Sequence, residues 1–345
     1  MDTGHRQTDE LLDELEKRLA QEYLQAVKEV SEKLNDYLRR FAIKDELRRA
    51  MVEKGQMTAE DYKQWRIGQI MMGRRWQEMR DTLAEDYHHT NEIANSAIRG
   101  HCADVYALNH DFGTFEVERA TGIDTSYTLY NRHAVEWMLR ENPDILPPPG
   151  KRVSARIAAG LDERWNREKV QSVMLQSILQ GESIAKIANR LADAVGESNH
   201  KAAIRNARTM TTGAENAGRV ASYKRAEELG INVLQQWTAV HDEYTRESHR
   251  LIDGETAKVG EMFSNGCRFP GDPGGEPAEV YNCRCTLNAY FPKYDKPGIH
   301  KAGMTDEEYE EWRNSKPQRR SITQQEEKGE AIKNSYIREY RRAMG

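Results

Sequence analysis

The sequence predicts a mainly α protein with an elongated helical N-terminal region and a small α+β core near the C-terminus. Three observations predict it. Apolar residues recur at three- and four-residue steps over most of the chain before Gly230. After Gly230 the texture changes to glycine, proline, cysteine and short alternating runs. Of the 345 residues 31% are charged and 38% hydrophobic, with a mean hydropathy of -0.87, a balance that suits well-solvated helices better than one compact globule. On these grounds the chain divides into a helical region with a short β-hairpin (1–150), a helical middle domain (151–230), an α+β core (231–296) and a charged helical tail (297–345).

Residues 8–42 read as one amphipathic helix, with Leu12, Leu15, Leu19, Tyr23, Val27, Val30, Leu34, Tyr37 and Phe41 on one face and Thr8 or Asp9 as its N-cap. Its spacing drifts from a strict heptad, so it packs on neighbours rather than forming a coiled coil. Gly55 marks a turn, and Thr58 to Asp61 resembles a capping box for a second helical region reaching about Asn109. There Trp65, Ile67, Ile70, Met71, Trp76, Met79 and Leu83 form the apolar face. His88, His89, His101 and His110 lack a partner at ligand spacing and read as surface or core residues. The runs FGTFEVER and TSYTLYN alternate around Thr121 to Asp124 and predict a hairpin or a pair of extended segments. Asn142-Pro143 and Pro147 to Gly150 then break the pattern.

From 151 to 229 the helical stripe resumes through Trp165, Val170, Val173, Met174, Ile178, Leu179, Ile184, Ile187, Ala188 and Leu191, with a tight connection at Gly181-Glu182-Ser183. Between Lys151 and Gly230 there are 14 Lys and Arg against 9 Asp and Glu, a local excess able to meet duplex DNA phosphates or an acidic protein; a solvated helical face is the commoner meaning. The chain as a whole is formally -5, so no global attraction to nucleic acid exists. No window approaches the roughly 18 apolar residues needed to cross a bilayer, which predicts no membrane partner. The charged N-terminus lacks the apolar centre of a signal peptide, so the chain is expected in a cytosol or in a particle built there. Four cysteines in 345 residues do not predict a disulfide framework.

Residues 231–295 hold six glycines, four prolines and three of the four cysteines, with strand-like runs VLQQWTAV and EVYNCRCTLNAYF. So little apolar material needs cross-links or a supporting neighbour. Three pieces stand out: Trp237 followed by Asp242, Thr245, Arg246 and His249; Phe263 with Gly266, Cys267 and the Pro270-Gly271-Asp272-Pro273 loop; and Asn282-Cys283-Arg284-Cys285. In this order and spacing they resemble the core of the Mu F-like phage head morphogenesis family. The likeness is strongest over about residues 205–292. It extends to Ala207-Arg208-Thr209, where Met210 replaces a usual Glu and removes any acidic role there, and to Tyr127-Thr128-Leu129-Tyr130-Asn131. The resemblance implies a few-copy minor head protein of the virion, made in the host cytoplasm. It would be associated with the portal and with major capsid or scaffolding protein, and needed for head assembly or genome delivery. Only about 50 residues, reading as a charged helical tail, follow Pro297, so no fused effector domain is expected.

The chemistry of the core has three readings. On a strand Cys283 and Cys285 share a face, so with Cys267 and His249 or His241 they make a tetrahedral set suited to zinc. A bridge from Cys267 to Cys283 or Cys285 is the second, and buried reduced thiols are the third and commonest. Asp242, Arg246 and His249 admit a catalytic reading as a metal-dependent hydrolase, nuclease or cell-wall-active, but no catalytic spacing is complete. The expectation is therefore no catalytic residues. Instead, Trp237, Asp242, Thr245, Arg246, His249, Asp272, Pro273, Asn282 and Arg284 should form a structural network, with Arg246 forked onto Asp242 or onto backbone carbonyls.

Overall fold

The computed structural model describes residues 2–71, 74–130, 132–141, 163–180, 182, 184–293 and 305–317. Among the described residues the protein is mainly α, with long N-terminal helices and a small antiparallel sheet towards the C-terminus. Its helices are α1 (Thr3–Glu53), α2 (Ala59–Met71), α3 (Arg74–Thr121), α4 (Arg132–Glu141), α5 (Glu163–Leu179) and α6 (Ile184–Leu191), which passes through a π turn (Ala192–Gly196) into α7 (Glu197–Glu228). The core then adds β1 (Leu234–Thr238), α8 (Glu247–Leu251), β2 (Thr256–Lys258), α9 (Pro277–Val280) and β3 (Thr286–Tyr290), and α10 (Asp306–Ser315) follows.

The chain forms two compact units, one of residues 14–97 and 150–207 and the other of 1–13, 98–149 and 208–345. The first is an all-helical core in which Val30 and Leu34 of α1 and Leu83 and Tyr87 of α3 pack with Val170, Val173 and Met174 of α5 and Ile187 and Leu191 of α6. Apart from Tyr87, these are the periodic apolar positions of the sequence, and their burial drives the packing. A buried polar ladder crosses it: Tyr23 Oη donates to Asn91 Oδ1 (2.5 Å), Asn91 Nδ2 to Asn199 Oδ1 (2.7 Å) and Asn199 Nδ2 to Asn166 Oδ1 (2.9 Å). The side chains of Tyr37, Ile70, Met71, Trp76, Ile178, Leu179 and Ile184, and the breaks at Gly181, Ser183 and 142–150, lie outside the described residues.

In the second unit Phe112 and Phe115 of α3 enclose Tyr309 of α10, which is fully buried. A capping box at Thr305 and Glu308 starts α10. The sheet order is β2-β1-β3, antiparallel throughout, with Thr238 opposite Thr286 and Leu234 opposite Tyr290. No helix among the described residues is long and apolar enough to cross a membrane.

Three expectations are corrected. α1 begins five residues before Thr8 because Asp2 is its cap, accepting from His5 N (2.8 Å), while Thr8 turns its hydroxyl back onto Gly4 O (2.8 Å). It also runs on to Glu53, where Gly55 at φ +70° terminates it. There is no hairpin at 112–130: FGTFEVER completes α3, its apparent alternation arising because Phe112, Phe115, Val117 and even Glu116 are all buried and no face needs to be polar. TSYTLYN is extended, but Leu129 N donates to Pro317 O (2.8 Å) rather than to a hairpin partner. Thr58 caps α2 as expected, accepting from Asp61 N (3.0 Å).

Candidate functional site

The α+β core is built against one face of α7. That helix is rich in alanine and glycine, and it presents Thr209, Thr212, Asn216 and Arg219 in a polar stripe. The chain leading into β3 carries backbone groups with no sheet partner, and the stripe satisfies them. Asn282 N donates to Thr209 Oγ1 (3.2 Å), Thr212 Oγ1 to Cys283 O (2.5 Å) and Asn216 Nδ2 to Cys285 O (3.3 Å). Leu287 N donates to Asn216 Oδ1 (2.8 Å), and Leu287 O accepts from Arg219 Nη1 (2.7 Å). The Pro270–Pro273 loop meets the same helix so closely that a Cβ on Gly271, at φ +76°, would stand 2.6 Å from Gly213 N.

Pinned in this way, Cys283 and Cys285 turn their side chains inward and Arg284 outward, the alternation expected of extended backbone although β3 itself starts at Thr286. His249, on α8, meets both sulfurs: Nδ1 lies 3.3 Å from Cys285 Sγ and 3.6 Å from Cys283 Sγ. All three residues are 2% exposed or less. On the other edge of the ring, Nε2 lies 2.9 Å from Glu279 Oε2, within ion-pair range but without hydrogen-bond alignment. Ser248 Oγ donates to the same carboxylate oxygen (2.9 Å). Trp237 stands edge-on to the imidazole at 5.1 Å and Phe263 edge-on to Trp237 at 5.2 Å, closing the site with aromatic walls. The Cys283 thiol is raised by its hydrogen bond to Cys285 and by burial. Cys285 is lowered, because that thiol and His249 both stabilise its thiolate.

Around this cluster Asp242, Thr245, Arg246 and Arg284 are each hydrogen-bonded. Asp242 receives the fork of Arg284 (2.5 and 2.8 Å), not of Arg246. The Arg284 hydrogen bonds bring its carboxyl down to about 2. Tyr244 N and Thr245 Oγ1 also donate to Asp242 Oδ1 (both 3.0 Å). Arg246 takes the carbonyl alternative and donates to Tyr281 O. Asp272 is a separate clasp: Arg268 Nε (3.0 Å), Arg268 Nη2 (2.6 Å), Arg268 N and Gly274 N (both 2.8 Å) all reach it. Burial would raise its carboxyl, but these donors hold it below the ordinary range. Pro273 follows in that turn, and Asn282 takes φ +52° to swing the chain onto α7.

Cys267 stands apart from this cluster. It lies outside the group formed by His249, Cys283 and Cys285, whose donor atoms are all within 4.8 Å of one another. Its sulfur is turned towards Gly275, where an added Cβ would stand 2.7 Å away. Burial lifts its thiol to about 12. No disulfide joins it to Cys283 or Cys285, since all four cysteines are free. His241 is also apart, exposed and paired with Asp253 (2.9 Å).

Glu279, Arg268 and the α7 stripe were not singled out from sequence. The stripe had a signal, polar residues at positions 209, 212, 216 and 219 of a small-residue helix; Glu279 had none. A second buried set was also missed: Arg219, fully buried, donates to Asn109 Oδ1 (3.0 Å), to both oxygens of Asp2 (2.8 and 2.7 Å) and to Leu287 O. Beside it His5 Nδ1 meets Glu215 Oε1 at 2.8 Å. Met210 is a buried apolar residue.

Residues 168–288, which include α7 and most of the core, match the model of the family described as Phage Mu protein F like protein. The chain is 23% identical to the Minor head protein GP7 of Bacillus phage SPP1, over 86% of this chain and 89% of that protein. It is 28% identical to the NAD(+)--arginine ADP-ribosyltransferase EFV of Enterococcus faecalis over 57% of this chain, and spans only 40% of that relative's length. No solved structure matches. Through residues 168–288, the segment that builds the α7-anchored core, the chain is similar to the Mu F-like phage head proteins.

Proposed function

We propose that the protein is a minor component of a phage head that acts in procapsid assembly, associated with the portal and with major capsid or scaffolding protein, and that it performs no catalytic turnover. The observation that carries this reading is the end-to-end likeness to a minor head protein, 89% of whose length is spanned. The core supports it, because its polar side chains are spent on fixing loops: Asp242, Arg246, Asp272 and Arg284 each hold chain segments together. A hydrolase built on His249 and the cysteines would need them open to substrate, and they are sealed.

The basic excess of 151–230 gives weaker support to duplex DNA as a partner. Several of its cations are taken up by neighbouring carboxylates: Arg164 with Glu168, Arg167 with Glu163, Lys186 and Arg190 with Glu182, and Lys201 with Glu197. A protein partner is therefore preferred. Co-expression with the portal, scaffolding and major capsid proteins of its phage tests the proposal. The protein should co-sediment with procapsids and depend on the portal for doing so. Its absence from assembled heads would overturn the reading, as would hydrolysis of nucleic acid or cell wall that is lost in His249→Ala with the fold intact.

A further inference from the structure

The geometry points to a zinc site in which His249 Nδ1, Cys283 Sγ and Cys285 Sγ are the protein ligands, Glu279 orients the histidine, and Cys267 takes no part. Two donors bound to one zinc at about 2.1 Å (nitrogen) and 2.3 Å (sulfur), at a tetrahedral angle, stand roughly 3.6 Å apart. The observed nitrogen–sulfur separations are 3.3 and 3.6 Å, so an ion fits between these donors with side-chain adjustments of a few tenths of an ångström. Thiolate and imidazole are the donor types that select zinc among abundant divalent ions.

The surroundings have the form such a site requires. A ligating histidine commonly gives its other ring nitrogen to a carboxylate, which fixes the tautomer and leaves the ligating lone pair aimed at the metal. Glu279 occupies that place beside Nε2. Both cysteine backbones are tied to α7 through Thr212 and Asn216, so the sulfurs are held in position rather than gathered by the ion. Trp237 and the burial of all three ligands exclude bulk water. Bound metal would join α8 to the strand lead-in and stabilise a segment with little apolar core of its own.

The test uses the full chain, purified reduced and without chelator, with zinc measured per chain and cobalt(II) substituted as a spectroscopic probe. One zinc per chain is expected, and a cobalt spectrum with thiolate charge-transfer bands. Cys283→Ser and Cys285→Ser should lose the metal, Cys267→Ser should keep it, and Glu279→Gln should weaken it about 10–100-fold. Should a serine variant fail to fold, the wild-type zinc content and cobalt spectrum still decide. Absence of stoichiometric zinc together with no cobalt–thiolate band after adding one equivalent overturns the site. Loss of metal in Cys267→Ser overturns the ligand assignment.

Discussion

Replacing Arg219 by Met should remove a large share of the stability of the unit that contains the sheet. The side chain is fully buried and makes four hydrogen bonds at 2.7 to 3.0 Å, to Asn109, Asp2 and the Leu287 carbonyl. Methionine keeps much of its volume against Phe112, over which the guanidinium lies at 5.0 Å, so the loss is polar rather than a cavity. Two neutral acceptors, Asn109 Oδ1 and Leu287 O, lose a buried donor at about 1–3 kcal/mol each. The Asp2 side chain is 21% exposed and recovers part of its hydration, which moderates its share. The sum agrees with the roughly 3–5 kcal/mol typical of breaking a buried ion pair from one side. At about 2–4 °C per kcal/mol, that is a fall of roughly 6–20 °C in Tm.

The chain has two compact units, so the assay is urea unfolding combined with hydrogen exchange at the amides of β3 and of α7 from Arg208 onward, which isolates the relevant one. Arg225→Met is the control: its pair with Glu228 is more than half exposed on both sides and should contribute less than about 1 kcal/mol. If the Arg219 variant is no less stable than this control, the reasoning that the buried guanidinium organises the core is wrong.

Alkaline pH should destabilise the same unit. Burial lowers His5, but the opposing charge of Glu215 prevails and raises it to about 9; burial raises Glu116 to about 8. Both groups hold a proton in the folded state beyond the pH at which the unfolded chain releases it, so both contributions fade as pH rises. For His5 the window lies between about pH 6.5 and 9 and is worth at most about 3 kcal/mol. Urea midpoints should fall across that range, and His5→Asn should flatten the slope; an unchanged slope would contradict the assignment. Among the glycines, Gly266→Ala should cost about 1–2 kcal/mol for its left-handed φ of +78° in open space. Gly271→Ala should cost about 1–3 kcal/mol more, because its Cβ meets α7 backbone. Equal urea midpoints for the two variants would show that the loop does not press on the helix.

Helices were legible because burial on one face leaves a three- and four-residue rhythm, as at Val30, Leu34, Leu83, Val170 and Leu191. The rhythm failed at 112–119, where Glu116 is buried beside Phe115 and Val117, so a helix enclosed on all sides imitated a strand. The cysteine–histidine cluster was legible because its chemistry is rare and its spacing fixes a face. Its partners were not: Arg284 and Arg246 are equally able to fork onto Asp242, and only the turn at Asn282 decides between them. Cys267 shares its residue type with the true cluster members, yet loop geometry, which spacing does not encode, turns it away.

The sheet shows why α7 carries the core. In the order β2-β1-β3, β3 is an edge strand, with one row of backbone groups facing away from β1. Such an edge pairs with another chain unless it is covered. Here α7 and α3 cover it with side chains: Asn216 holds Leu287 N, Arg219 holds Leu287 O, and Glu116 accepts from Ala289 N. A helix backbone has no spare donors or acceptors along its length, so only polar side chains can end a sheet against it. Buried Asn216, Arg219 and Glu116 are therefore the consequence of a three-stranded sheet too small to close on itself. Their loss would expose β3 as a pairing edge as well as weakening the fold.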